Sequence, residues 1–146
     1  MHQLGIAHRD VKPSNVFFSE DNILKVGNPL LPTSSFDEKS IQNVYKTTSI
    51  GTVSYLAPEV FNAVKDTKIS TYDAIKSDCW AFGVFIYELL TYQLPFKFKS
   101  FDEFKQNLSS KDFKLPLLTV SAKISQQTSS MLKDIYRGLL NQDPKK

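Results

Sequence analysis

His8-Arg9-Asp10-Val11-Lys12-Pro13-Ser14-Asn15 decides how the rest of the chain is read. The stretch gathers an acid, three basic side chains and an amide, with Asn15 five positions after Asp10 (15 − 10). Directly after it come two short apolar runs, Val16-Phe17-Phe18 and Ile23-Leu24-Lys25-Val26, separated by Ser19-Glu20-Asp21-Asn22. Two such runs around a polar turn predict a small β-hairpin, so the polar loop is pinned against it.

Outward from the hairpin, Gly27 to Pro58 is a long polar stretch with scattered apolar residues. Loops of that length inside compact domains usually serve a function. Ser77 to Thr91 is the opposite: Trp80, Phe82, Val84, Phe85, Ile86, Leu89 and Leu90 surround a helix on almost every side, which predicts a buried central helix with Ser77 as its N-cap. Ser100-Phe101-Asp102-Glu103 reads as a capping box. Asp112 to Thr119, with Pro116, reads as loop. A last helix starts between Ser125 and Ser129, with Met131 or Leu132, Ile135 and Leu139 on its apolar face and Leu140 adjacent.

The 146 residues are 41% hydrophobic and 23% charged, with a net charge of +3, the balance of an ordinary globular domain. A chain of this length buries enough surface for one real core. Cys79 is the only cysteine, which excludes an internal disulfide and a cysteine-rich zinc site, and its apolar neighbours predict a buried, inert thiol. The lysines are scattered rather than blocked, so charge gives no support for nucleic-acid binding. No apolar run reaches membrane-spanning length and no signal-peptide pattern opens the chain, which leaves an intracellular, cytoplasmic protein as the default expectation.

The opening stretch matches the protein-kinase catalytic loop, H-R-D-hydrophobic-x-x-x-N, and the chain resembles the C-terminal lobe of a eukaryotic protein kinase. Gly51-Thr52-Val53-Ser54-Tyr55-Leu56-Ala57-Pro58-Glu59 is similar to the segment that closes the activation loop, and Ser77-Asp78-Cys79-Trp80-Ala81-Phe82-Gly83-Val84 to the start of the family's buried helix. Leu94-Pro95-Phe96 and Asn141-Gln142-Asp143-Pro144 fall where the family has similar segments. The resemblance implies a mainly α C-lobe with a small hairpin and a central buried helix. It also implies an ATP- and Mg²⁺-dependent reaction on a protein substrate, in which Asp10 accepts the substrate hydroxyl proton, Lys12 adds positive charge, and Asn15 reaches the metal. Thr52 would fix Asp10 and Lys12, and Phe17 would lie beneath the adenine. Lys12 and Thr52 together resemble the serine/threonine branch. Arg9 resembles the arginine that receives an activation-loop phosphate, with Thr48 the best-placed acceptor and Thr47 and Ser49 as alternatives. The resemblance gives His8, Asp78 and Glu59 structural roles, with Asp78 accepting backbone N–H bonds from the catalytic loop.

One motif departs from the family. Where Asp-Phe-Gly is expected, after Val26-Gly27, the sequence reads Asn28-Pro29-Leu30. An amide replaces the metal-binding carboxylate, so the metal positions are Asn15 and Asn28, both neutral, while Mg²⁺ is normally held through one or two carboxylates plus phosphates. The sequence also holds no G-x-G-x-x-G loop and no V-A-I-K-type lysine; in the family these precede a residue like Met1, so an N-lobe is expected upstream, and Phe17 is expected to face water. The arginine that pairs with Glu59 would fall just past Lys146, which predicts that Glu59 is unpaired or borrows Lys145 or Lys146; Arg137 is the competing partner. Tyr92 stands where the family often has glycine, which predicts loss of a left-handed cap. These expectations leave an impaired, pseudokinase-like module that binds proteins, a piece of an active serine/threonine kinase, or a relic that does not fold stably.

Overall fold

The computed structural model describes residues 1–29, 53–60, 72–98, 101–110, 112–119 and 124–141. Within them a short 3-10 turn at His2–Leu4 leads into the polar loop, and a second at Pro13–Asn15 opens the hairpin. Strands β1 (Val16–Phe18) and β2 (Leu24–Val26) pair antiparallel with Val16 opposite Val26. Three helices follow: α1 (Ala74–Thr91), α2 (Phe101–Ser109) and α3 (Gln126–Leu139). Residues 112–119 carry no regular structure, as Pro116 suggested. The expected long loop after Gly27 lies mainly outside the described residues, as does Ser100, so its capping box does too.

The core forms where α1 meets everything else. Trp80 and Val84 of α1 bury against Val53, Ala57 and Val60, against Phe104 and Leu108 of α2, and against Leu118, Tyr136 and Leu140. Helix α3 lies close on α1 because Gly83 has no side chain: a Cβ there would sit 2.8 Å from Leu140 Cγ. Tyr136 closes the other side by donating from its hydroxyl to Pro116 O at 3.0 Å. Burial, and the neighbouring Tyr87, push the Tyr136 hydroxyl well above its usual range, so it remains a donor.

Four details differ from the sequence reading. The N-cap of α1 is Asp73, whose Oδ1 accepts from Ile75 N and Lys76 N at 3.1 Å; Ser77 lies inside the first turn, where its N–H already bonds Asp73 O. A carboxylate is favoured at that end by the helix dipole. The helix is not apolar-buried all round: Phe82 is 44% exposed and Leu89 58%, on the side away from α3. On α3 the buried face runs through Leu132, Tyr136 and Leu140, one step round from the expected one, and leaves Met131 and Ile135 exposed. Its start is as expected, with Ser125 accepting from Thr128 N at 3.1 Å.

The fourth is Tyr92. It does form the left-handed cap, at φ 57°, with its N–H on Glu88 O at 2.8 Å, although its side chain is 92% exposed and packs on little. A non-glycine residue there costs about 1–2 kcal/mol in backbone strain. Tyr92→Gly is therefore expected to raise stability by about 1 kcal/mol, read by urea denaturation, since glycine returns part of the gain as unfolded-chain entropy. Destabilisation by that substitution would mean the tyrosine ring holds the turn.

Candidate active site

The polar loop is built around Asp78, which α1 holds 3% exposed just past its N-terminus. Its Oδ2 accepts from His8 N at 2.6 Å and its Oδ1 from Arg9 N at 2.7 Å. His2 Nε2 meets Oδ2 at 2.9 Å. A buried carboxylate needs such donors, and the loop backbone would otherwise leave N–H groups unsatisfied. Arg9 sits at φ 66°, left-handed for a side chain that disfavours it. The paired bonds from His8 and Arg9 to one carboxylate hold that conformation in place.

His8 carries the tie onward to the hairpin. Its buried ring donates from Nε2 to Gly27 O at 2.8 Å and accepts at Nδ1 from Asp10 N at 3.3 Å, a pattern that one tautomer satisfies. Gly27 N in turn donates to Asn15 O at 2.9 Å. The end of β2 is thus bonded to both ends of the loop, which is what brings residues 8 to 15 and 26 to 28 together.

Asp10, Lys12 and Asn15 form one cluster. Lys12 Nζ lies 2.9 Å from Asp10 Oδ2, and Asn15 Nδ2 donates to the same Oδ2 and to Asp10 O, each at 2.7 Å. A charge-assisted pair with a bridging amide fixes the carboxylate's rotamer. Phe17 is about half exposed and lies over Gly27, as expected for a ring facing water. Asn28 follows at φ 55°, exposed, two positions past Val26 (28 − 26). Thr52 and Thr48 lie outside the described residues.

A protein-kinase-domain model matches residues 1–146, the full chain. The chain belongs to the protein kinase family. Among curated relatives it is similar to CBL-interacting protein kinase 11 of Oryza sativa subsp. japonica, at 32% identity over 98% of this chain and 25% of that protein. It also resembles the CBL-interacting serine/threonine-protein kinase 5 of Arabidopsis thaliana, at 34% over 79% of this chain and 24% of the relative. The serine/threonine-protein kinase TOS3 of Saccharomyces cerevisiae matches at 31%, over 100% of this chain and 27% of its own length. This kinase-family chain spans about a quarter of the length of the curated relatives it matches.

The Glu59 side of the kinase domain departs from full pairing. Among the described residues no basic side chain lies within salt-bridge range of Glu59, and Arg137 is on Asp134 instead, at 3.6 Å. Lys145 and Lys146 lie outside the described residues. Burial raises the Glu59 carboxyl above its usual 4.5; its own backbone N–H lowers it, Asp73 raises it and Lys76 lowers it. An acid raised in the folded state contributes fully below its unfolded pKa, and that contribution is lost as pH rises through the folded value. Glu59→Gln is accordingly expected to raise the Tm at pH 7 and to flatten its fall above pH 4.5, measured by scanning calorimetry across pH. An unchanged profile would show that Glu59 has a partner in solution.

Two contributions were not anticipated. His2 reaches Asp78 from the first 3-10 turn, and nothing in its sequence neighbourhood signalled that. Tyr55 donates its hydroxyl to Glu88 across 33 positions, tying the segment before Glu59 to the last turn of α1. Burial first, then the hydrogen bond and charge of Glu88, push that hydroxyl well up and keep it a donor. Cys79 is partly exposed rather than buried, but desolvation, with Asp78 and Asp73 nearby, raises its thiol, so it stays protonated and unreactive. Among the described residues no helix is long and apolar enough to cross a membrane.

Proposed function

We propose that residues 1–146 are the C-terminal-lobe part of a serine/threonine-type protein kinase domain that is impaired in phosphotransfer and acts by binding proteins within the cell. The observation that carries this reading is Asn28, an amide at the position where the family resemblance expects the metal-holding carboxylate. Phosphoryl transfer relies on metal to neutralise developing charge, so losing that carboxylate weakens the step at its centre. The one carboxylate in the loop, Asp10, is already engaged by Lys12 and Asn15. Two neutral amides, Asn15 and Asn28, do not fit the oxygen set that Mg²⁺ takes.

The role of Asp78 and His8 in this reading is support: they hold the loop whether or not the chain reacts. Arg9, next to them, is the residue that would take a phosphate on Thr48, an arrangement that suits a regulated binding surface. The relatives named as CBL-interacting kinases join kinase family membership to a protein partner, which is compatible with a binding role here.

A second reading, part of an active kinase, is favoured by one arrangement: Asp10, Lys12 and Asn15 retain mutual contacts of 2.7 to 2.9 Å, a catalytic carboxylate held ready. The discriminating test is radiolabelled phosphate transfer from ATP to a generic protein substrate with Mg²⁺ present. Incorporation no higher than in the Asp10→Asn variant is expected. Incorporation that Asp10→Asn abolishes would establish the second reading instead.

A further inference from the structure

Away from the loop, a cleft of about 310 Å³ opens between α2, the segment before it and residues 110–116. None of the residues that hold Asp10 lines it. Its walls are aromatic: Phe96 stacks on buried Trp80 at 5.8 Å and contacts Phe113 at 5.7 Å and Phe104 at 6.0 Å. Phe104 and Leu108 are buried beneath it. Ring contacts on three sides hold Phe96 before any ligand arrives, so little ordering cost remains to be met on binding. The volume accommodates one large side chain and lies at the lower end of what concave ligand sites offer.

Charge at the rim selects the occupant. Lys97 and Lys114 both line the cleft and are exposed, and neither has an acidic partner in salt-bridge range among the described residues. Among the described residues that line the cleft, Asp112 is the one opposing charge. Two cations around an aromatic floor favour a segment that places an aromatic side chain between carboxylates, the ring edge-on to the phenylalanines and the acids over the lysines.

We infer that this cleft docks an acidic peptide segment of a protein partner, seating one phenylalanine against the partly open rings of Phe96 and Phe113 with its flanking carboxylates on Lys97 and Lys114. The inference rests on the binding role proposed above and names its surface.

The probe is the synthetic peptide acetyl-Glu-Glu-Phe-Glu-Glu-amide, fluorescein-labelled, titrated with the full chain by anisotropy. Trp80, the chain's only tryptophan, gives a second signal from behind the cleft wall. Saturable binding is expected, weakened about 30-fold when the peptide's phenylalanine becomes alanine. The double variant Lys97→Glu/Lys114→Glu is expected to weaken it about tenfold, and Asp112→Asn to tighten it. Absence of saturable binding, equal binding of the alanine peptide or of a lysine-for-glutamate peptide, or indifference to the double charge reversal would each overturn the docking site. Those failures leave the impaired-kinase reading standing, since that reading is decided by phosphate transfer and metal-dependent nucleotide binding, which the cleft substitutions do not touch.

Discussion

Asp78→Ala is expected to cost about 3–5 kcal/mol of folding stability, measured by urea denaturation, because it strips one carboxylate from a buried donor set. His8 N and Arg9 N lose acceptors at 2.6 and 2.7 Å and His2 loses its contact at 2.9 Å. A buried donor left without a partner costs about 1–3 kcal/mol, so the two backbone groups alone account for most of the loss. The effect should spread beyond stability. With the anchor gone, Arg9 loses the backbone bond that favours φ 66°, and the loop is expected to relax, releasing the His8 ring from Gly27. Hydrogen exchange at residues 8 to 15 should rise while α3 remains protected. Asp78→Asn keeps one acceptor oxygen but turns an amide N–H toward a donor, so it should fall between alanine and wild type. A loss below about 1 kcal/mol for alanine would mean that the loop is held elsewhere.

Gly83→Val is the second large effect, expected to destabilise by about 2–3 kcal/mol through overpacking. A Cβ at position 83 would lie 2.8 Å from Leu140 Cγ, 2.9 Å from Leu140 Cδ2 and 3.0 Å from Leu139 Cβ. Two of these atoms are near the α3 backbone and cannot swing away as a side-chain tip would. The helices must separate, which opens the layer formed by Trp80, Val84 and Tyr136. Gly83→Ala introduces the same first contact but gains about 1 kcal/mol of helix propensity, so its net loss should be smaller. Stabilisation by alanine would contradict the close approach of α1 and α3.

What the sequence made legible followed from how local the causes are. The hairpin was readable because two apolar runs flank a polar turn, and α3 because Ser125 caps it within three positions. The cluster of Asp10, Lys12 and Asn15 was readable because its members lie within six residues and fall in a specific motif. The exposed Phe82 and Leu89 were not, since composition alone cannot tell a buried helix face from one that lacks a covering element. The shift of the α3 face from Ile135 to Tyr136 went unread because the partners of Tyr136, the Tyr87 ring at 5.6 Å and Pro116 O, lie far from it in sequence. Asp73 displaced Ser77 as cap because a carboxylate four positions earlier starts the helix one turn sooner, accepts from Ile75 N and Lys76 N, and adds charge at the positive helix end. The bond from His2 to Asp78 joins residues 76 positions apart and had no local signature.

We propose that Asn28 deprives this kinase-family chain of Mg²⁺-dependent nucleotide chemistry. Isothermal calorimetry of ATP into the native protein, with and without Mg²⁺, tests it most directly. The account predicts no binding heat that depends on Mg²⁺. Tight Mg²⁺-dependent binding of ATP by the native Asn28 form, followed by phosphate transfer to a test protein, would contradict it and make the chain part of a working kinase with an unusual metal site.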